Sequence, residues 1–143
     1  MKTETQFSKH ICQQLKKQGI PHQRLEVTTG AGVPDLVIFY KGETIWLELK
    51  SKTYTLRAEQ VVFAKRAWAQ GVKTFTLHAM SDTGRRPEDE HTHMLLYIAT
   101  KANVSGKSWK ASKDLELVRY EHFDILKVLD SCIYSILYTK DHT

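Results

Sequence analysis

The stretch Pro34-Asp35-Leu36-Val37-Ile38-Phe39-Tyr40-Lys41-Gly42-Glu43-Thr44-Ile45-Trp46-Leu47-Glu48-Leu49-Lys50 decides the fold. Two β-rich runs, Pro34 to Tyr40 and Thr44 to Lys50, flank Lys41-Gly42, and this is a hairpin signal. With Lys41-Gly42 as a two-residue turn, Tyr40 pairs with Glu43 and the numbers of every opposed pair sum to 83. Asp35 then faces Glu48 across the strands, on one face of the sheet, with Cβ atoms ~5 Å apart. Lys50, two residues beyond Glu48, shares that face. The other positions are almost wholly apolar: Val37, Phe39 and Trp46 beside the acids, and Leu36, Ile38, Ile45, Leu47 and Leu49 on the opposite face. Charge is therefore confined to one end of a hairpin expected to be covered on both sides.

Two carboxylates held together repel, and burying them uncompensated costs several kcal/mol. A divalent cation removes that penalty. An oxygen site with few protein ligands, leaving positions for water and phosphate, suits Mg²⁺ or Mn²⁺. Such a cation lowers the pKa of its water and neutralises a phosphoryl oxygen. Lys50 then has three available roles: orienting the nucleophile, deprotonating it, or stabilising transition-state charge. The plainer alternative is a solvated Asp–Lys–Glu cluster at a sheet end, since E-x-K is common on strands.

Outward from the hairpin, Thr3 and Gln6 have capping-box spacing, and Phe7, Ile11 and Leu15 form a helical stripe that Gly19 and Pro21 end. Glu4 lies two turns before Ile11, which projects it from roughly the buried side; a favourable charge at a helix N-terminus is the other reading. His22 to Val27 reads as a short strand. Residues 57 to 70 read as a helix with Val61, Val62, Ala64 and Trp68 on its apolar side. In the strand Val72 to Ala79, Val72, Thr74, Thr76 and His78 alternate with Lys73, Phe75, Leu77 and Ala79. Met94 to Thr100 and Leu115 to Tyr120 are further strands. From Glu121 onward, Phe123, Leu126, Leu129, Ile133 and Ile136 give an amphipathic helix. The order is α-β-β-β-α-β followed by a C-terminal β-and-helix appendage.

A length of 143 residues and the lack of any long linker imply one domain, 1–143. With 41% hydrophobic and 26% charged residues, disorder and collagen-like repeats are excluded. Cys12 and Cys132 are far apart and in no C-x-x-C pattern, so two reduced thiols in a cytosolic protein are expected. The polar N-terminal stretch has no apolar core of a signal peptide, and no stretch has membrane-spanning length. A net charge of +5 fits a polyanionic partner.

Gly32-Val33-Pro34-Asp35, twelve residues, then Glu48-Leu49-Lys50 resembles the PD-(D/E)XK nuclease signature. With Glu4 in the first helix, the G-V-P-D loop and Gln60 early in the second helix, the resemblance is strongest to the VRR-NUC branch, found in phage proteins and DNA-repair nucleases. It covers about residues 3 to 80 and implies an α/β, restriction-endonuclease-like αβββαβ core. That core would span about residues 3–100, with a mixed sheet flanked by helices and an extension over about 101–143. Carried over to these positions, Asp35 and Glu48 resemble the metal ligands, with the Leu49 carbonyl as a third, and Lys50 the catalytic lysine. Glu4 would be a further acid at the metal. Gln60 would place Lys50 or touch the scissile phosphate, against plain solvation of the helix.

The activity so implied is a Mg²⁺- or Mn²⁺-dependent DNA endonuclease in replication, recombination or repair, selective for branched DNA such as Holliday junctions. It would act in the cytoplasm of a bacterium or phage-infected host, away from membranes. A sequence-specific restriction or homing-type endonuclease is an alternative, and so is a binding module without turnover. Lys52 and Arg57 leave the catalytic strand as candidate DNA contacts. Gly30 and Gly32 would let backbone approach a phosphate, or simply make a flexible turn. Lys107-Ser108-Trp109-Lys110 reads as a stacking loop or as a solvated loop with Trp109 tucked inward. His91 and His93 lack an obvious third ligand. Cutting a junction takes two opposed incisions and one hairpin supplies one centre, so a homodimer is expected. The apolar side of the final helix or of the first is its candidate seam.

Overall fold

Phe7, Ile11 and Leu15 put one apolar stripe on helix α1 (Thr3–Lys17), and none of the three exposes any surface. Gly19, at φ +69°, ends the helix in the left-handed region, and the Ile20 N–H closes on the Leu15 carbonyl at 2.9 Å. The computed structural model describes residues 3–25, 32–50, 55–56, 58–79, 94–98, 109–110, 116–120 and 124–138; for 3–5, 55–56, 94–98, 109–110 and 116–120 it gives the backbone course. After α1 come β1 (His22–Arg24), β2 (Leu36–Tyr40), β3 (Glu43–Lys50), β4 (Thr55–Leu56), α2 (Ala58–Ala69), β5 (Thr74–Ala79), β6 (Met94–Ile98), β7 (Trp109–Lys110), β8 (Glu116–Tyr120) and α3 (Ile125–Tyr138).

Six strands form one sheet in the order β1-β2-β3-β5-β6-β8, and β4 pairs with β7 separately. The sheet is mixed: β3 and β5 are parallel, with α2 as the crossover between them, and the other neighbours are antiparallel. The hairpin has the register required by its two-residue turn, from Leu36 opposite Leu47 to Tyr40 opposite Glu43. Lys41 and Gly42 sit at φ +49° and +79°, the pair of left-handed residues that a type I′ turn demands.

One face of the sheet carries the main core. Leu36, Ile38, Ile45, Leu47 and Leu49 pack with Phe75, Leu77 and Ala79 against the α1 stripe and against Ile125, Val128, Leu129, Cys132 and Ile133 of α3. Each large side chain buried there contributes roughly 1.5–3 kcal/mol. Asp124 caps α3, its Oδ1 accepting the Leu126 N–H at 3.0 Å. At the other end of α3, Lys73 Nζ donates to the Ser135 carbonyl at 2.6 Å, satisfying an acceptor that the last helical turn leaves open. Asp130 Oδ1 accepts from both Tyr40 Oη and Lys41 Nζ, each at 2.9 Å, and so ties the hairpin turn to α3.

The second face lies under α2, where Trp46 of β3 meets Phe63 with ring centroids 5.9 Å apart. Here the structure departs from the sequence reading. Val61 and Ala64 are buried as expected, but Val62 is 44% exposed and α2 buries Gln60 with them. Phe39 is 51% exposed, so α2 covers only the Trp46 side of this face. The expected C-terminal extension joins the same sheet, with β8 pairing on β6. Both stripes proposed as a dimer seam are spent on the chain's own core: Phe7, Ile11, Leu15 and Leu129 expose nothing and Ile133 only 9%. Residues 26–27 of the expected first strand and Phe123 lie outside the described residues. Among the described residues, no helix is long and apolar enough to cross a membrane.

Candidate active site

Asp35 stands one residue before β2, where the β2–β3 ladder ends. Its backbone carbonyl accepts the Leu25 N–H at 2.9 Å, and its side-chain Oδ2 accepts the Leu49 N–H at 2.8 Å. The carboxylate thus extends the hairpin by one side-chain hydrogen bond and is fixed against β3 at Glu48-Leu49-Lys50. Glu48 and Lys50 alternate with the core residues of β3 and point away from them, yet both are buried, with 7% and 8% of their surface exposed.

Gln60, in the first turn of α2, makes that burial tolerable. Its Nε2 donates to Glu48 Oε2 at 2.6 Å and its Oε1 accepts from Lys50 Nζ at 3.3 Å, while Lys50 Nζ lies 3.4 Å from Glu48 Oε2. A side-chain amide offers a donor and an acceptor at once, as bridging an acid and an amine requires. The close approach expected of Gly32 is to protein backbone. Gly32 is buried at φ +72°, and a Cβ there would overlap the Glu59 carbonyl in the first turn of α2. The loop entering Asp35 and the helix bearing Gln60 are therefore in direct contact.

Burial pushes the Glu48 carboxyl up to about 8, and the neighbouring Asp35 pushes it the same way, while Lys50 opposes them. Glu48 Oε1 is buried and, among the described residues, has no hydrogen-bond partner. Such an atom costs about 1–3 kcal/mol unless a proton or a cation meets it. Two carboxylates with one oxygen unmatched fit a hard divalent cation. Among the described residues no group of three or more His, Cys, Asp or Glu side chains could hold a metal.

Asp35, Glu48, Leu49, Lys50 and Gln60 thus meet at one end of the hairpin. The backbone of Glu4 lies in the first turn of α1, but its side chain is outside the described residues, as are Gly30, Lys52, Arg57, His91 and His93. Antiparallel pairing of β4 with β7 sets the backbone of Trp109 and Lys110 beside Leu56 and Thr55. Sequence reasoning missed that pairing, and it also missed two neighbours of the site. Thr76 lies beside Glu48 and His78 beside Lys50 in the parallel β3–β5 register. The signal was there: alternation along β5 sets both residues on one face.

No family model matches the chain, and no curated protein matches it. Among solved structures it is similar to Hjc of Archaeoglobus fulgidus, a Holliday junction resolvase from an archaeal hyperthermophile. The two superpose with a TM-score of 0.52 at 17% identity, over 84% of this chain and 92% of that one. This chain has the restriction-endonuclease-like α/β fold. In it, the acids and the lysine occupy the end of the central hairpin, and the crossover helix closes over them.

Proposed function

We propose that the chain is a divalent-metal-dependent DNA endonuclease of the PD-(D/E)XK superfamily, of the VRR-NUC branch, acting as a single domain on branched DNA in replication, recombination or repair. One observation carries this reading: Glu48 and Lys50 are held together, nearly dry, by Gln60, and Asp35 is fixed beside them on the Leu49 N–H. A buried acid beside a second one is costly unless it serves a cation, and a solvated surface cluster would not bury its Glu and Lys beneath a helix. The fold it shares with a junction resolvase supports the same reading.

Asp35, Glu48 and the Leu49 carbonyl would hold Mg²⁺ or Mn²⁺, with Glu4 as a further acid. When bound, that cation supplies Lewis acidity and a water of lowered pKa. Lys50, fixed by Glu48 and Gln60, orients the attacking water and balances charge developing on the phosphoryl oxygens. Lys52, Arg57 and the net charge of +5 supply phosphate contacts. Two opposed cuts call for a homodimer. The core stripes being occupied, the apolar side chains of α3 left for its seam are Tyr134, Leu137 and Tyr138, 64%, 53% and 71% exposed.

The test is the purified chain with Mg²⁺ or Mn²⁺ on linear, nicked, flapped and four-way-junction DNA, with light scattering alongside. Preferred cutting of the junction by a dimer is the expected outcome. A strict monomer with and without junction would leave a nicking or flap nuclease, and no cleavage of any substrate would end the reading.

A further inference from the structure

Strand β5 has two faces. Phe75, Leu77 and Ala79 belong to the main core, while Thr74 and Thr76 lie beneath α2 with only 6% and 2% of their surface exposed. In the parallel register Thr76 stands beside Glu48. The two side chains therefore leave adjacent strands on one face, from backbones about 4.8 Å apart. Valine has nearly the shape of threonine and suits a dry strand better, because a hydroxyl removed from water without a partner is costly. A threonine buried at this position calls for something to bond.

Between the sheet and α2 lies a recess of about 20 Å³, whose lining includes Glu48, Gln60, Phe63, Ala64, Thr74 and Thr76. One water molecule needs roughly 10–15 Å³, so the recess admits one and little more. A buried water also needs about two to four polar partners. The Thr76 hydroxyl is one. Glu48 Oε1 is another, being buried without a hydrogen-bond partner among the described residues, whereas Oε2 is held by Gln60 Nε2 at 2.6 Å. A carboxylate oxygen has two lone pairs, so Oε1 can serve a cation with one and accept a hydrogen bond with the other.

We propose that the recess is a binding site for one ordered water, which donates to Glu48 Oε1 and bonds the Thr76 hydroxyl, and that Thr76 is thereby a positioning residue for this carboxylate. Gln60 of α2 holds one oxygen of Glu48 and β5 holds the other through the water. The acid then meets an arriving cation already oriented. The water site stands on the geometry alone, and its effect on metal affinity rests on the nuclease reading above.

The experiment uses the full chain as wild type, as Thr76→Val, which keeps the shape without the hydroxyl, and as Thr76→Ser, which keeps the hydroxyl. High-resolution crystal structures grown in EDTA should show a water bonded to residue 76 Oγ and Glu48 Oε1 in wild type and Thr76→Ser, and none in Thr76→Val. In calorimetric titration, Thr76→Val should bind Mn²⁺ roughly ten-fold more weakly and Thr76→Ser within about threefold of wild type, as expected for an outer partner of a metal ligand. Thr76→Ala, expected to lose the same factor, replaces Thr76→Val should that variant fail to fold. A dry recess in wild type, or a water that stays in Thr76→Val, overturns the site. Unchanged Mn²⁺ affinity without the hydroxyl, or a loss that Thr76→Ser does not recover, overturns the positioning role. A wild type that binds no Mn²⁺ ends the metal reading and the positioning role with it, while the crystal structures still decide the water.

Discussion

Gln60 Nε2 lies 2.6 Å from Glu48 Oε2, and each residue has 7% of its surface exposed. An uncharged amide from the crossover helix therefore holds an acid of the hairpin in place, and the same amide accepts from Lys50. Gln60→Ala should slow cleavage about ten-fold, as loss of two buried hydrogen bonds would, in single-turnover assays. Lys50→Ala should slow it by at least ~10²-fold while metal affinity, followed by calorimetry, is retained. Full activity in Lys50→Ala removes that residue from the chemistry.

Chelation should abolish cleavage, Mg²⁺ or Mn²⁺ should restore it, and Ca²⁺ should support binding with little turnover, because its looser coordination misplaces water and phosphate. Asp35→Asn and Glu48→Gln should each cost at least ~10²-fold in rate without unfolding the chain. Asp35→Ala should also lower stability by about 1 kcal/mol, since the Leu49 N–H loses its acceptor. Cleavage that persists in EDTA would refute the metal-dependent mechanism.

The pH dependence of stability has a definite sign. Burial, with the neighbouring Asp35, raises the Glu48 carboxyl in the folded chain from an ordinary 4.5 to about 8. Between those values the folded chain keeps a proton that the unfolded chain has released. Its contribution is therefore whole below about pH 4.5 and is lost as pH rises through about 8. In EDTA, wild type should lose about 1–3 kcal/mol relative to Glu48→Gln between roughly pH 5 and 8. Urea unfolding at both pH values measures it, and parallel behaviour of the two proteins would count against a strained Glu48.

Gly32 and Gly42 both sit at positive φ, yet a Cβ at Gly42 meets nothing within 4 Å whereas one at Gly32 overlaps Glu59. Gly42→Ala should cost about 1 kcal/mol, from backbone conformation alone. Gly32→Ala should cost about 2–4 kcal/mol, because the Asp35 loop and α2 must also separate. Activity should fall with it, since the loop and the helix carry Asp35 and Gln60. Equal melting shifts for the two variants would show that the contact is unimportant.

The hairpin was legible because its turn fixes its register: once Lys41-Gly42 is the turn, Asp35 and Glu48 must face each other. The α1 stripe was equally plain from its spacing. What stayed hidden depends on non-local partners. Nothing local in Met94–Ile98 or Glu116–Tyr120 says that these strands continue the sheet beyond β5, or that Trp109 pairs with Leu56. On α2, hydrophobicity favoured Val62 over Gln60 as a buried residue. The acid and the amine beneath that helix reverse the choice, since a polar pair needs a polar lid. The expected dimer seams failed for a related reason: an amphipathic stripe reports that it is covered, not by what.

The hydrogen bond from the Leu49 N–H to Asp35 Oδ2 gives the site a built-in spectroscopic probe. Amide proton shifts follow the electron density of their acceptor, and a cation drawing on the Asp35 carboxylate would loosen this bond. The Leu49 resonance should therefore move upfield on metal titration, while neighbouring core amides bonded strand to strand keep their positions. A single ¹H–¹⁵N cross-peak then reads occupancy directly, with no DNA present and no bond being cut.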